Sequence, residues 1–403
     1  MFPSTQMTTA VRRLALARLI SVTGSTAAFA ALSYVVYQRT HSATWLAATL
    51  LLTFGTVALV APAGGAVGDR FDRKRVMIAS HLAAAATFAA MALVDAVGLL
   101  VLLAFAGAIF ETSFGSSSAA AIPNLVPKER LTWANSTLEV AGQMGFLIGP
   151  LTGGALVSLV GVRLVFLGNA ASFLASAALC GTVTGRFSAV REHRPEWNVL
   201  AGVRFLLRHR ILRGIAIIYF GINLGIGITM VANVPLADSF QVGSFGYGAL
   251  IAVWGGGSML GALVARKLNS QSEPVGFIAA CALVGVAATG VGASPWFSLV
   301  LLALVLMGLG DGIAAVASAG MLQRLVPDPV RSRVVGGLGS FVSIGLVCSY
   351  LVAAPVLSLL GARGSYVLGG VVALAPIPLL LRTFVRSHTE RGSDQPTSEV
   401  DVV

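Results

Sequence analysis

Two carboxylates are set apart by where they fall. Glu111 and Asp311 each interrupt a long apolar run, and they stand 200 residues apart. At 1.5 Å of rise per helical residue, Glu111 lies about 18 Å along its run from Leu99, and Asp311 about 22 Å along its run from Trp296. An ionised carboxylate at bilayer depth costs about 2.5 to 3.5 kcal/mol on insertion scales, so it faces a wet cavity, finds a partner or holds a proton. The chemistry on offer is proton binding in alternation with a substrate. The plainer alternative is a carboxyl hydrogen-bonded to a neighbouring helix. Gly107, Gly115 and Ser118 share a helical face with Glu111, and Gly308, Ala315 and Ser318 share one with Asp311. Small, partly polar faces of this kind suit a central cavity.

Two further constellations are mechanical rather than chemical. Residues 65–75 read Gly-Ala-Val-Gly-Asp-Arg-Phe-Asp-Arg-Lys-Arg, a knot of charge between two apolar runs. Such charge must sit in a short loop at a membrane face. Gly65 permits close approach of a neighbour, and Asp69 is an anion suited to the positive N-terminus of another helix, with Gly336, Gly337 and Gly339 as its expected receiver. The second constellation is Gly145-Phe-Leu-Ile-Gly149-Pro150-Leu-Thr-Gly153-Gly154. Glycines four apart make a flat face for close helix packing, and Pro150 removes one backbone hydrogen bond and bends its helix.

The elements that carry these residues follow from composition. The 403 residues are 56% hydrophobic and 11% charged, with a mean hydropathy of +0.86. That excludes a water-soluble fold and predicts a polytopic all-α membrane protein. Twelve spans are expected, near 14–37, 44–66, 77–93, 99–121, 133–159 and 164–183, then 211–234, 247–264, 275–292, 296–322, 334–360 and 365–381. The net charge of +11 does not indicate nucleic acid, because no folded basic surface is available to bind it. With an inner N-terminus, the outer loops hold only Arg39, Arg163 and Arg363, the bias of the positive-inside rule. Both termini are therefore expected in the cytoplasm, and the protein in the cytoplasmic membrane.

Four segments follow. Residues 1–185 form an N-terminal six-helix half, 186–210 a cytoplasmic linker, 211–385 a C-terminal six-helix half, and 386–403 a polar tail expected to be disordered. Within the linker Trp197, Leu200, Val203 and Leu207 recur at helical spacing, with Arg204 and Arg208 opposite. This is either an interfacial helix meeting anionic lipid or a solvated basic loop. The halves echo each other: Leu125-Val126-Pro127 returns as Leu325-Val326-Pro327. A degraded copy of the charged knot is read at Gly261 to Lys267, with Ala265 in the place of Asp69. Cys180, Cys281 and Cys348 fall at no metal-ligand spacing, and there is no phosphate loop, so neither cofactor nor metal is expected.

Gly65, Asp69, Arg70, Arg73 and Lys74 match the G-x-x-x-D-R-x-x-R-K loop of the major facilitator superfamily, which the chain resembles. Gly145, Gly149, Pro150, Gly153 and Gly154 look like the antiporter motif of its drug exporters. The run from Arg12 to Gly154, including Pro123 to Pro127, is most similar to the macrolide-efflux-like branch, although that branch often has an acidic residue where Ser25 stands. The resemblance implies a twelve-helix fold of two pseudo-symmetric halves, a gate at residues 65–74, alternating access, and proton-coupled efflux of small amphipathic compounds by a monomer. Tyr34, Tyr219, Asn223 and Trp254 are the candidate substrate contacts, each equally able to be a packing residue. Left open are a solute uptake symporter and a non-transporting membrane sensor or assembly factor. An enzyme is not expected, because no nucleophile, base and orienting partner can be assembled.

Overall fold

The computed structural model describes residues 4–55, 71–185, 187, 199–269 and 271–378. Gly65, Asp69, Arg70, Trp197 and the tail from 386 onward lie outside the described residues. What is described is all-helical, as a chain crossing lipid must be if its backbone groups are to be satisfied internally. The helices are α1 (Ser4–Thr40), α2 (Ala43–Gly55), α3 (Arg73–Met91), α4 (Val97–Leu125), α5 (Leu131–Val160), α6 (Val162–Thr182), α7 (Val199–Arg208), α8 (Arg210–Ser239), α9 (Gly243–Ala265), α10 (Glu273–Ala293), α11 (Phe297–Leu325) and α12 (Asp328–Leu374). Nine helices among the described residues are long and apolar enough to span. The α12 run counts as two spans, because Gly361 breaks it at φ +65° and ψ −178°. With α2, and with α3 and its basic first turn, the total is twelve.

The 200-residue repeat extends to whole elements. α4 runs 97–125 and α11 runs 297–325, so Glu111 and Asp311 are each the midpoint of their helix. The positive-φ residues repeat as well: His41 with Gln241, and Gly161 with Gly361. Gly161 (φ +82°, ψ 163°) turns α5 into α6 as Gly361 divides α12, a backbone conformation that only glycine adopts freely. Helix pairings follow the same register. α1 packs on α5 as α8 does on α12, and α3 packs on α4 and α6 as α10 does on α11 and α12. This register corrects one sequence reading. Because the start of α3 corresponds to the start of α10, Asp69 corresponds to Asn269, not Ala265. Gly261 lies within α9, where a β-carbon would strike Leu309 of α11.

Arg39 and Arg163 both hold Asp95, at 3.0 and 2.7 Å, at one end of the bundle. At the opposite end Arg73 Nη1 donates to Ala120 O at 2.8 Å, and Lys74 Nζ donates to Gly181 O and Val183 O at 2.7 and 2.9 Å. Both cations thus rest on carbonyls near the C-terminal ends of α4 and α6, where the helix dipole is negative. In the C-terminal half the same junction is an ion pair, Glu273 with Arg324.

The halves meet toward the Arg39 end. Ser244 Oγ of α9 donates to Gly154 O of α5 at 2.8 Å, and a β-carbon on Gly248 would collide with Pro150 O. Gln38 Nε2 donates to Asp238 Oδ1 at 3.3 Å across the halves. Leu46, Ala47 and Leu50 of α2 are buried in the core cluster of the C-terminal half. The linker helix α7 packs on α12 and α8, with Leu206 buried and Arg204 and Arg208 exposed.

Candidate functional site

Between the halves lies a cavity of about 320 Å³. Its walls are helix stripes at i, i+3, i+4, i+7 spacing. Ile226, Thr229, Met230 and Asn233 come from α8, and Tyr247, Leu250, Ile251 and Trp254 from α9. The N-terminal half supplies Ser25, Phe29 and Leu32 of α1, Phe54 of α2, Ala104, Ala108 and Glu111 of α4, and Phe146 and Pro150 of α5. Tyr366, from beyond the Gly361 break, completes the lining. No Lys, Arg or His is among the lining residues, and the surface is mostly carbon.

Glu111 is half-buried in this wall. Ser25 Oγ donates to Glu111 Oε1 at 2.5 Å, the range of a charge-assisted hydrogen bond. Across the cavity Tyr366 OH donates to Asn233 Oδ1. Phe146 and Trp254 meet edge to face across the halves, with centroids 6.0 Å apart and an interplanar angle of 69°. Within the N-terminal half, Phe29 and Phe54 also meet edge to face, at 4.9 Å and 73°.

Asp311 is placed differently from Glu111. It lies one turn beyond the lining residue Met307 and is itself not in the lining; Ser258 Oγ donates to its Oδ2 at 3.3 Å. Of the four candidate contacts, Trp254 lines the cavity and three do not. Tyr219 and Asn223 lie on the α8 stripe but one to two turns nearer the Arg73 end. There Tyr219 OH shares a hydrogen bond with Ser318 Oγ at 2.7 Å, and Asn223 Nδ2 donates to Tyr219 O at 2.8 Å. Tyr34 is five residues past Phe29, about 140° round the helix, and packs against the C-terminal core instead. Sequence reasoning missed Asn233, Tyr247 and Tyr366. The 200-residue repeat would not have found them, since their equivalents Ser33, Ala47 and Phe166 are not in the lining, although it does relate Phe54 to Trp254.

The glycine motif lies beside the site as a packing face. β-carbons on Gly145 and Gly149 would meet α1 at Thr23 N (2.9 Å) and Thr23 O (2.5 Å), and one on Gly153 would meet Ala27, whereas Gly154 faces α9 at Ser244. Thr26 Oγ1 donates to Gly145 O at 3.1 Å. The same face recurs in α12, where Gly345 abuts Phe220 of α8 and Ser349 Oγ donates to Leu224 O at 2.6 Å. Of the charged knot, Arg73 and Lys74 hold the helix ends described above. Elsewhere on the N-terminal half, Arg18 pairs with Glu139 at 3.3 Å. Among the described residues no group of His, Cys, Asp and Glu is placed to hold a metal ion.

A family model described as Major Facilitator Superfamily matches residues 14–288 and 215–401. The chain is 28% identical over 339 residues to the enterobactin exporter EntS of Escherichia coli O81 (strain ED1a), covering 81% of this chain and 80% of that protein. It is 28% identical over 340 residues to the protein of the same name from Shigella boydii serotype 4 (strain Sb227), with the same coverage. Its fold matches a POT family transporter in complex with a thioalcohol conjugated peptide, with a TM-score of 0.77 at 12% identity over 93% of this chain and 96% of that one. A bacterial homolog of the human lysosomal transporter Spinster, inward-facing and occupied, gives 0.75 at 16% identity over 96% and 99%.

Proposed function

The chain belongs to the major facilitator superfamily, and from that membership we propose that it exports a small amphipathic compound in exchange for protons. Membership makes it a multi-pass membrane transporter of small molecules rather than an enzyme. Export, proton coupling and the class of compound are our assignment. Export is supported by the similarity to a protein named as an exporter and by the glycine motif of α5.

The observation that carries proton coupling is Glu111. It is a half-buried carboxylate at the midpoint of α4, lining the cavity, with one hydroxyl partner and no cation among the lining residues. A proton is the simplest charge to neutralise it when substrate is absent, and exchanging the two couples their movements. Asp311, one turn outside the lining, serves as a second proton site. The cavity of aromatic and aliphatic side chains suits an amphipathic molecule.

In this reading the Arg39 end faces outward, both termini are cytoplasmic, and the membrane is the cytoplasmic one, a reading that the distribution of Lys and Arg supports. Gly65, Asp69 and Arg70, with Arg73 and Lys74 anchored on α4 and α6, form the cytoplasmic latch, and the monomer is the working unit. Substrate-induced proton movement in proteoliposomes tests the assignment, with lipophilic cations and antibiotics screened on wild type and Glu111→Gln in parallel. Counterflow should appear in the wild type and vanish in the variant. Proton-driven efflux by Glu111→Gln with an unchanged pH profile would remove Glu111 from the mechanism.

A further inference from the structure

The two walls of the cavity differ in hydrogen-bonding character. On the N-terminal side Glu111 Oε1 accepts from Ser25, and Oε2 has no partner among the described residues. Thr26 and Thr112 on this wall give their hydroxyl protons to Gly145 O and Ala108 O, so what they leave for a ligand is lone pairs. This wall offers acceptors and a carboxyl group.

On the C-terminal side Tyr366 OH occupies the Asn233 oxygen, which leaves the two N–H groups of Nδ2 without a partner among the described residues, in a residue that lines the cavity. Trp254 contributes its ring to the wall, its Nε1 being buried away from the cavity surface. Thr229 Oγ1 spends its proton on Ile226 O, and Asn233 Nδ2 is a donor left open on this wall. A buried donor left unpaired is costly, and a ligand acceptor removes that cost.

We infer that the cavity selects compounds with two separated functions on an aromatic frame: a cationic amine for Glu111, and a hydrogen-bond acceptor such as an amide carbonyl for Asn233. One molecule then touches both halves, and the Phe146 and Trp254 rings that meet across the halves flank the frame. The inference deepens the exporter reading and rests on it. A site built to pair a polar group discriminates against the analogue that lacks it.

Equilibrium binding to the purified full chain in detergent tests it, with tritiated procainamide as the probe, since that molecule joins an aromatic amide to a tertiary amine. Two competitors each lack one function: the isostere in which the amide is replaced by two methylenes, and 4-amino-N-(3-ethylpentyl)benzamide, the carba analogue in which a CH replaces the tertiary nitrogen. Procainamide should outcompete each by about tenfold, the worth of one good hydrogen bond or more. Asn233→Asp, which keeps an acceptor for Tyr366, should shrink the advantage over the isostere to under twofold. Glu111→Gln should shrink the advantage over the carba analogue. Three results would overturn the inference: an isostere that matches procainamide on wild type, an advantage over it that survives Asn233→Asp, or no binding of any of the three to monodisperse protein. The exporter reading fails separately, in the proteoliposome flux.

Discussion

Gly154→Ala and Gly149→Ala should have opposite kinds of effect, although the residues are five apart on one helix. A β-carbon at 154 would strike Ser244 O and lie 3.3 Å from Gly248 Cα, both on α9 of the other half. A β-carbon at 149 would lie 2.5 Å from Thr23 O on α1, inside its own half. Inserting one carbon into packing of this density costs about 1 to 3 kcal/mol. At 149 that cost falls on every state that keeps the N-terminal half folded, so stability drops and the conformational equilibrium stays. At 154 it falls only on the state in which α5 and α9 touch, so the population closed at the Arg39 end should drop by about 5-fold to 150-fold relative to its alternative. Spin labels at Leu93 and Trp296, exposed residues at that end of the two halves, would report the change as a longer distance by double electron–electron resonance. The background would carry Cys180→Ala, Cys281→Ala and Cys348→Ala. An unchanged distance distribution in Gly154→Ala, together with a loss of thermal stability equal to that of Gly149→Ala, would refute the division of the motif between the two interfaces.

Two other outcomes are expected. Gln38→Cys with Asp238→Cys in the same background should be bridged by 1,2-ethanediyl bismethanethiosulfonate, because the tips of the native side chains are 3.3 Å apart; the cross-link should abolish transport and reduction should restore it, whereas transport by the cross-linked protein would show that this end need not open. Gly161→Ala and Gly361→Ala, at φ +82° and +65°, should each lower stability by about 1 to 3 kcal/mol, read as a lower midpoint in thermal unfolding; midpoints within a degree of wild type would mean that the backbone at these turns is not fixed as described.

Span number, the pairing of halves and the depth of Glu111 were legible because they depend on apolar run length and on the 200-residue echo, which survive without knowledge of packing. The face of each carboxylate was not: Ala104, Ala108 and Thr112 line the cavity with Glu111 in place of Gly107, Gly115 and Ser118, and Asp311 stays outside the lining; nor was the partner of Glu111 legible. Ser25 and Glu111 are 86 residues apart, and only the crossing of α1 over α4 brings them together. The wall of the cavity was illegible for a related reason. Tyr219, Asn223 and Asn233 share one stripe of α8, and which turn reaches the cavity is decided by where α8 meets its neighbours. The break at Gly361 was legible as the gap between the spans 334–360 and 365–381, but that Tyr366 beyond it reaches the cavity depends on packing.

Gln38 and Asp238 are equivalent positions of the repeat and also touch each other, so they lie on the pseudo-two-fold axis itself. A position on such an axis faces its own copy. In a chain of two identical halves, two aspartates there would repel, while two glutamines would carry no charge to lose. The Gln–Asp pair is the arrangement that strict symmetry forbids, with a donor on one side and an anion on the other. Departure from identity between the halves therefore matters at the axis, and an engineered chain made of two copies of the C-terminal half would set two aspartates against each other there, where two copies of the N-terminal half would set two amides.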